Sequence, residues 1–87
     1  MRALFSTSQF QKDIRRIPFE VRERLEEIVG RLRNNPLDRS LSPIKLHSVT
    51  PPTWRVRIGA FRLVYTFNTQ SVFLHRIRHR KDVYRKW

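Results

Sequence analysis

Apolar positions recur with two different periods along the chain, and the change falls near its middle. Phe10 and Ile14 lie one helical turn apart, and Val21, Leu25, Ile28 and Leu32 recur at i, i+4, i+7 and i+11, the stripe of an amphipathic helix. From Trp54 the period becomes two. Trp54, Val56 and Ile58 alternate with Arg55 and Arg57, and Phe61, Leu63, Tyr65 and Phe67 alternate with Arg62, Val64, Thr66 and Asn68, as on a strand with one buried face. Before the helices, the short apolar run from Ala3 to Ser6 predicts a strand, ended by the polar cluster Ser6-Thr7-Ser8. Ser8 with Gln11 forms a capping box that opens a first helix of about ten residues. Pro18 interrupts it and suits the first turn of a second helix, which Asn34-Asn35-Pro36 stops. The polar side of that helix carries Arg22, Glu23, Glu26 and Glu27, read as solvated surface; the Glu27 and Arg31 pair contributes roughly 0.2 to 0.5 kcal/mol.

Residues 36 to 53 hold Pro36, Pro43, Pro51 and Pro52 and predict an irregular connector, with Leu41, Ile44 and Leu46 as tethers to the core and Ile44 to His47 as a brief strand. Gly59-Ala60 joins two strands, and glycine at the first central position favours a type II′ turn. After Asn68-Thr69-Gln70 a further strand runs from about Val72 to Ile77. The expected fold is α+β: an N-terminal strand and a helical hairpin packed on one face of a small, mainly antiparallel sheet. With 87 residues, two separate cores would each bury too little, so residues 1–87 are expected to form one domain. No apolar run approaches a membrane span, and the first residues lack a secretory apolar segment. A cytoplasmic protein without a membrane partner is expected. Cysteine is absent, which removes thiolate nucleophiles and thiolate zinc sites.

Charge changes the picture most. The chain carries 19 Lys plus Arg against 7 Asp plus Glu, a net +12. Up to Ile44 the balance is nine cations to six acids, +3; beyond it, ten to one, +9. Arginine dominates, and its forked guanidinium suits phosphate, so the basic half predicts a nucleic-acid partner. The two-residue turn places Ile58 opposite Phe61, Arg57 opposite Arg62 and Val56 opposite Leu63, with Arg55 on the arginine face. Like charges directly opposite repel by roughly 0.2 to 1 kcal/mol. A phosphodiester held between the guanidinium groups would turn that repulsion into attraction. The competing reading is three arginines splayed into water from a one-sided sheet. Depending on how many residues the last turn leaves unpaired, either Arg76 and Arg78 or His75 and His79 share the face of Arg62.

Acids are scarce in the basic half, where Asp82 stands alone, so paired carboxylates for a two-metal nuclease are missing and no metal or other cofactor is expected. His75 and His79 have no third ligand nearby in sequence and read better as structural groups or phosphate contacts. Metal-free phosphodiester cleavage is easiest when the substrate supplies its own nucleophile, as the RNA 2′-hydroxyl does. The protein then needs a proton acceptor, cations for the charge growing on phosphorus, and a donor to the departing 5′ oxygen. Arg57 and Arg62 suit the middle role; His79, Arg80 and Tyr84 are candidates for the proton roles, arginine being the poorest acid of the three. Arg55, Arg78, Lys81 and Arg85 are the candidate substrate-binding cations. Tyr84 and Trp87 also read as an aromatic cap on the sheet end.

The segments Trp54-Arg55-Val56-Arg57-Ile58-Gly59-Ala60-Phe61-Arg62-Leu63-Val64-Tyr65 and His79-Arg80-Lys81-Asp82-Val83-Tyr84, following a helical hairpin, resemble the RelE/ParE superfamily of bacterial toxins over nearly the whole chain. The resemblance implies the toxin of a type II toxin-antitoxin system: an mRNA interferase of the RelE type, cutting messenger within the ribosomal decoding site and leaving a 2′,3′-cyclic phosphate. It places Arg55 and Arg57 on the RNA, Arg62 on the scissile phosphate, and Arg80 with Tyr84 in the completed site. It also implies a cognate acidic antitoxin that covers the cationic groove and binds operator DNA only as part of the complex. Phe61 stands where many relatives have tyrosine, which shifts more of the chemistry to Tyr84. The alternative within the superfamily is a ParE-like inhibitor of DNA gyrase, a branch that typically lacks the basic, tyrosine-bearing tail. Outside it, the alternative is a basic RNA-binding module without catalysis.

Overall fold

A computed structural model describes residues 1–82. Strand β1 (Ala3–Ser6) leads into helix α1 (Ser8–Ile14) and helix α2 (Phe19–Asn34), followed by a single 3-10 turn at Arg39–Leu41. The strands β2 (Ile44–Lys45), β3 (Trp54–Ile58), β4 (Phe61–Phe67) and β5 (Ser71–His79) follow among the described residues. They form one sheet in the order β1-β5-β4-β3-β2. Neighbours are antiparallel except β1, which runs parallel to β5. This is the expected α+β fold with a mainly antiparallel sheet.

The core lies between the helices and one sheet face. Leu25, Ile28 and Leu32 of α2 and Phe10 of α1 meet Val56, Ile58, Leu63, Tyr65, Val72, Leu74 and Ile77, all buried. The Tyr65 hydroxyl, inside this core, donates to the Pro36 carbonyl at 2.6 Å, so the connector is tied to the sheet and the phenol is satisfied. Burial raises the Tyr65 phenol far above its ordinary pKa. At the same C-terminal end of α2, Arg2 N–H donates to Arg33 O at 3.0 Å and Arg33 Nε returns a bond to Arg2 O at 2.8 Å. Among the described residues no helix is long and apolar enough to cross a membrane.

Several boundaries differ from expectation, each for a local reason. The cap of α1 is Thr7, whose hydroxyl accepts from Phe10 N–H at 3.1 Å, while Gln11 turns to Ser6 Oγ at 2.6 Å. The Ser8–Gln11 box is therefore displaced by one residue, because three successive hydroxyls compete and Thr7 also donates to His75 O at 2.9 Å. α1 spans 7 residues rather than about ten, its cap residue Arg15 bonding back to Asp13. Pro18 is the extended N-cap of α2 rather than part of its first turn. β2 covers Ile44–Lys45 only, and β5 outruns the expected strand at both ends. Gly59 has φ +60, which is the conformation the hairpin turn demands of its first central residue.

One irregularity decides what faces where. Val64 pairs with Arg76 and Tyr65 with Leu74, leaving His75 as an extra residue, a β-bulge. Val72 and Leu74 before it and Ile77 after it all reach the core. Beyond Ser6 the outer edge of β5 is capped by α1 instead of β1: Thr7 N–H donates to Leu74 O at 3.0 Å, and Ile77 N–H donates to Asp13 Oδ2 at 3.1 Å.

Candidate functional site

The face of the sheet away from the core is built in rows. Arg57 pairs with Arg62, and Arg62 with Arg78, so three arginines from adjacent strands share one row of this face. The next row is Arg55, Val64 and Arg76. The expected Arg57–Arg62 juxtaposition is present, and the bulge settles the open register in favour of Arg76 and Arg78. Arg57 is exposed, Arg55, Arg62 and Arg78 are half-buried, and Val64 is fully buried between Arg55 and Arg76.

The arginines are held differently. Arg76 is engaged by a carboxylate inside the fold: its Nε donates to Asp13 Oδ2 at 2.8 Å and its Nη2 to Asp13 Oδ1 at 3.1 Å. That fork-on-fork bond pushes the guanidinium pKa above its ordinary value. Arg76 is thus a structural cation. Arg62 curls back over the hairpin end, its Nη1 donating to Phe61 O at 3.0 Å and Gly59 O at 3.1 Å. Those bonds orient the head of Arg62 along the turn. Beside Arg57 and Arg55, a cleft of ≈ 280 Å³ opens towards Leu41, Ser42 and Ile44.

The segment after β5 closes onto the same hairpin end. Arg80 N–H donates to Ala60 O at 2.8 Å, and Asp82 N–H to His79 O at 2.8 Å. Arg80 and Lys81 are exposed on this turn, next to the loop that Arg62 touches. His79 pairs with Phe61 and contacts its ring edge-on, centroids 5.7 Å apart, so it lies on the side of the sheet opposite Arg62. Its Nδ1 accepts from Lys81 N–H at 3.2 Å. A backbone N–H only donates, so Nδ1 holds the lone pair and the neutral ring carries its proton on Nε2. The expected proton-acceptor role for His79 therefore requires that bond to break, whereas a donor role uses the ring as it stands. Tyr84 and Arg85, and the aromatic cap at Trp87, lie outside the described residues.

His75, the bulged residue, sits half-buried with Nε2 2.8 Å from Thr66 Oγ1, and burial lowers its pKa. Among the described residues no three of His, Asp and Glu gather to hold a metal ion. Sequence reasoning missed Asp13: it falls three residues after Phe10 on the buried side of α1, and a carboxylate on an apolar stripe is the signal that a cation must meet it.

Residues 4–84 match the family model described as the ParE toxin of type II toxin-antitoxin systems, parDE. The chain is 29% identical over 85 residues to "Toxin RelE3" of Methanocaldococcus jannaschii, covering 97% of this chain and 96% of that one. A chain of the RelB-RelE antitoxin-toxin complex from Methanococcus jannaschii is similar with a TM-score of 0.79 and 25% identity, covering 92% of this chain and 94% of that chain. A chain of the archaeal RelE-RelB complex from Pyrococcus horikoshii OT3 shares the fold with a TM-score of 0.78 and 21% identity, over 94% of this chain and 98% of that chain.

Proposed function

Because the chain belongs to the ParE toxin family of type II toxin-antitoxin systems, we propose that it is a metal-independent endoribonuclease that cleaves messenger RNA on the ribosome. The observation that carries this reading is the row Arg57, Arg62 and Arg78 across three paired strands, a repulsive arrangement that a phosphodiester would relieve. In the proposed reaction the RNA 2′-oxygen attacks the adjacent phosphorus as its proton leaves to an acceptor. The P–O5′ bond breaks, and the departing 5′ oxygen takes up a proton. The products are a 2′,3′-cyclic phosphate and a 5′-hydroxyl end.

In this scheme Arg62, braced by Gly59 O and Phe61 O, offsets the charge growing on the non-bridging oxygens, with Arg57 and Arg78 on either side. Arg55 and Lys81 hold the flanking strand, as does Arg85. His79 lies on the opposite face from Arg62 and is given no proton role in this scheme; Arg80 flanks the hairpin end, and Tyr84 is the remaining candidate for a proton role. The partners are mRNA and the ribosome, together with an acidic antitoxin of the kind named RelB in the complexes to which the chain is similar; operator DNA is reached only through that antitoxin.

Purified protein added to translating ribosomes is expected to cut mRNA at discrete positions, and Arg62→Ala to slow cutting by about 100- to 1000-fold, as for loss of one transition-state donor. An unchanged cleavage pattern in that variant defeats the assignment. The ParE name of the matched family favours a second reading, a gyrase inhibitor without nuclease activity. Loss of DNA supercoiling with mRNA left intact would establish it instead.

A further inference from the structure

The arginine face does not end at the second row. The next row consists of Thr66, Phe73 and Phe5, brought together by β4, β5 and β1. The Phe5 and Phe73 rings stack with centroids 5.4 Å apart and planes 17° from parallel. Phe5 is nonetheless 53% exposed, and it is absent from the hydrophobic cluster between helices and sheet. Beside Phe73 opens a cavity of ≈ 480 Å³, lined by Pro52, Trp54, Phe67, Phe73 and Asn68 among others. A lone exposed apolar residue calls for no explanation, but a stacked aromatic pair bordering a largely apolar cavity, on the same face as a line of cations, does.

We infer that Phe5 and Phe73, with the adjoining cavity, form a base-stacking platform for single-stranded RNA. The inference rests on the RNA reading of the arginine row. A strand of RNA has a charged edge and apolar planar bases, and this face offers both complements in order. Along β4 the platform's row lies four residues from Arg62, about 13 Å at strand rise, with the row of Val64 and Arg76 in between, so one strand anchored by phosphate at Arg62 spans the distance. Stacking on an aromatic ring tolerates any base, because every base has a π-face. The platform therefore contributes affinity and direction, while the arginine row holds the phosphates.

The test uses the full chain and two probes of equal length: a single-stranded 2′-O-methyl RNA, which lacks the nucleophile and reports binding alone, and its abasic counterpart with the same phosphates. Wild type is expected to bind the base-bearing strand about 5- to 150-fold more tightly, the equivalent of one stacked base. Phe5→Leu, which keeps an apolar side chain but loses the ring, should erase most of that preference; Phe5→Trp should retain it. Arg62→Ala should weaken both strands alike. The inference falls if wild type shows no preference, if Phe5→Leu leaves the preference intact, or if Phe5→Leu weakens both strands equally. In each case an Arg62→Ala defect on both probes leaves the RNA reading standing. An Arg62→Ala variant that binds both probes like wild type overturns that reading and the platform with it.

Discussion

Replacing Arg57 by glutamine should make the free protein more stable and the RNA-bound protein less so. Arg57 stands directly opposite Arg62, which in turn faces Arg78. A directly opposed like-charge pair costs roughly 0.2 to 1 kcal/mol, and because Arg57 is exposed water screens it, which selects the lower half of that range. Glutamine keeps most of the side-chain length and removes the charge. In a domain of this size 1 kcal/mol moves the melting temperature by about 4 to 8 °C, so the expected gain is about 1 to 5 °C in low-salt buffer free of phosphate. Two controls fix the cause. Raising sodium chloride towards 1 M shortens the screening length to about 3 Å and should shrink the gain. Adding a 2′-O-methyl RNA at 100 times the wild-type dissociation constant should stabilise wild type by about 2.7 kcal/mol; a variant that binds tenfold more weakly receives about 1.4 kcal/mol less, which reverses the order of the two melts. Circular dichroism melts under the three conditions provide the comparison. An Arg57→Gln protein that is less stable at low salt, or one whose advantage is indifferent to salt and RNA, refutes the idea that an anion is what this row awaits.

Two further outcomes bear on the scaffold under the row. Asp13→Asn leaves the Arg76 charge facing an amide in a site where the two side chains are only 10% and 17% exposed; the expected loss is about 3 kcal/mol, the low end for breaking a buried pair, and a urea-unfolding loss under about 1 kcal/mol would show that the pair merely decorates the edge. His75 is held below its ordinary pKa of 6.5 by burial, so the unfolded chain binds the proton more readily. Its contribution to stability is complete above the unfolded value and is lost as the pH falls through that value and the lower folded one. Denaturation between pH 7.5 and 5 should therefore show a decline that His75→Gln flattens, and parallel slopes would remove His75 as the cause.

The helices and the β3–β4 hairpin were legible in the sequence because their signals are local. Val21, Leu25, Ile28 and Leu32 announce one face of α2, and Gly59 between two alternating runs fixes both the turn and the opposition of Arg57 to Arg62. The pairing of β1 with β5 was not legible, since Leu4 meets Val72 across the whole intervening chain and no short-range pattern encodes such a partner. Nor was the cap of α1, where three adjacent hydroxyls offered equivalent choices until Thr7 found His75 O as a second partner. His79 was singled out as a candidate for the proton roles, but which of its nitrogens can act depends on a backbone N–H two residues away, a matter of turn geometry.

The bulge at His75 shows how a local break in pattern can assemble a site. In β5 the core-facing residues are Val72, Leu74 and then Ile77, so a spacing of two gives way to a spacing of three. An unbroken strand would have set His75 opposite Val64 and carried Arg76 and Arg78 to the core side, because a shift of one residue exchanges the faces of everything beyond it. The extra residue spares the fold two buried cations and adds Arg78 to Arg57 and Arg62. It also separates the uses of the face: below the bulge Phe73 pairs with Phe5, above it the arginines line up, and at the bulge Asp13 takes Arg76. The sequence carried this signal in the interval between Leu74 and Ile77, and reading it required knowing that both residues are core.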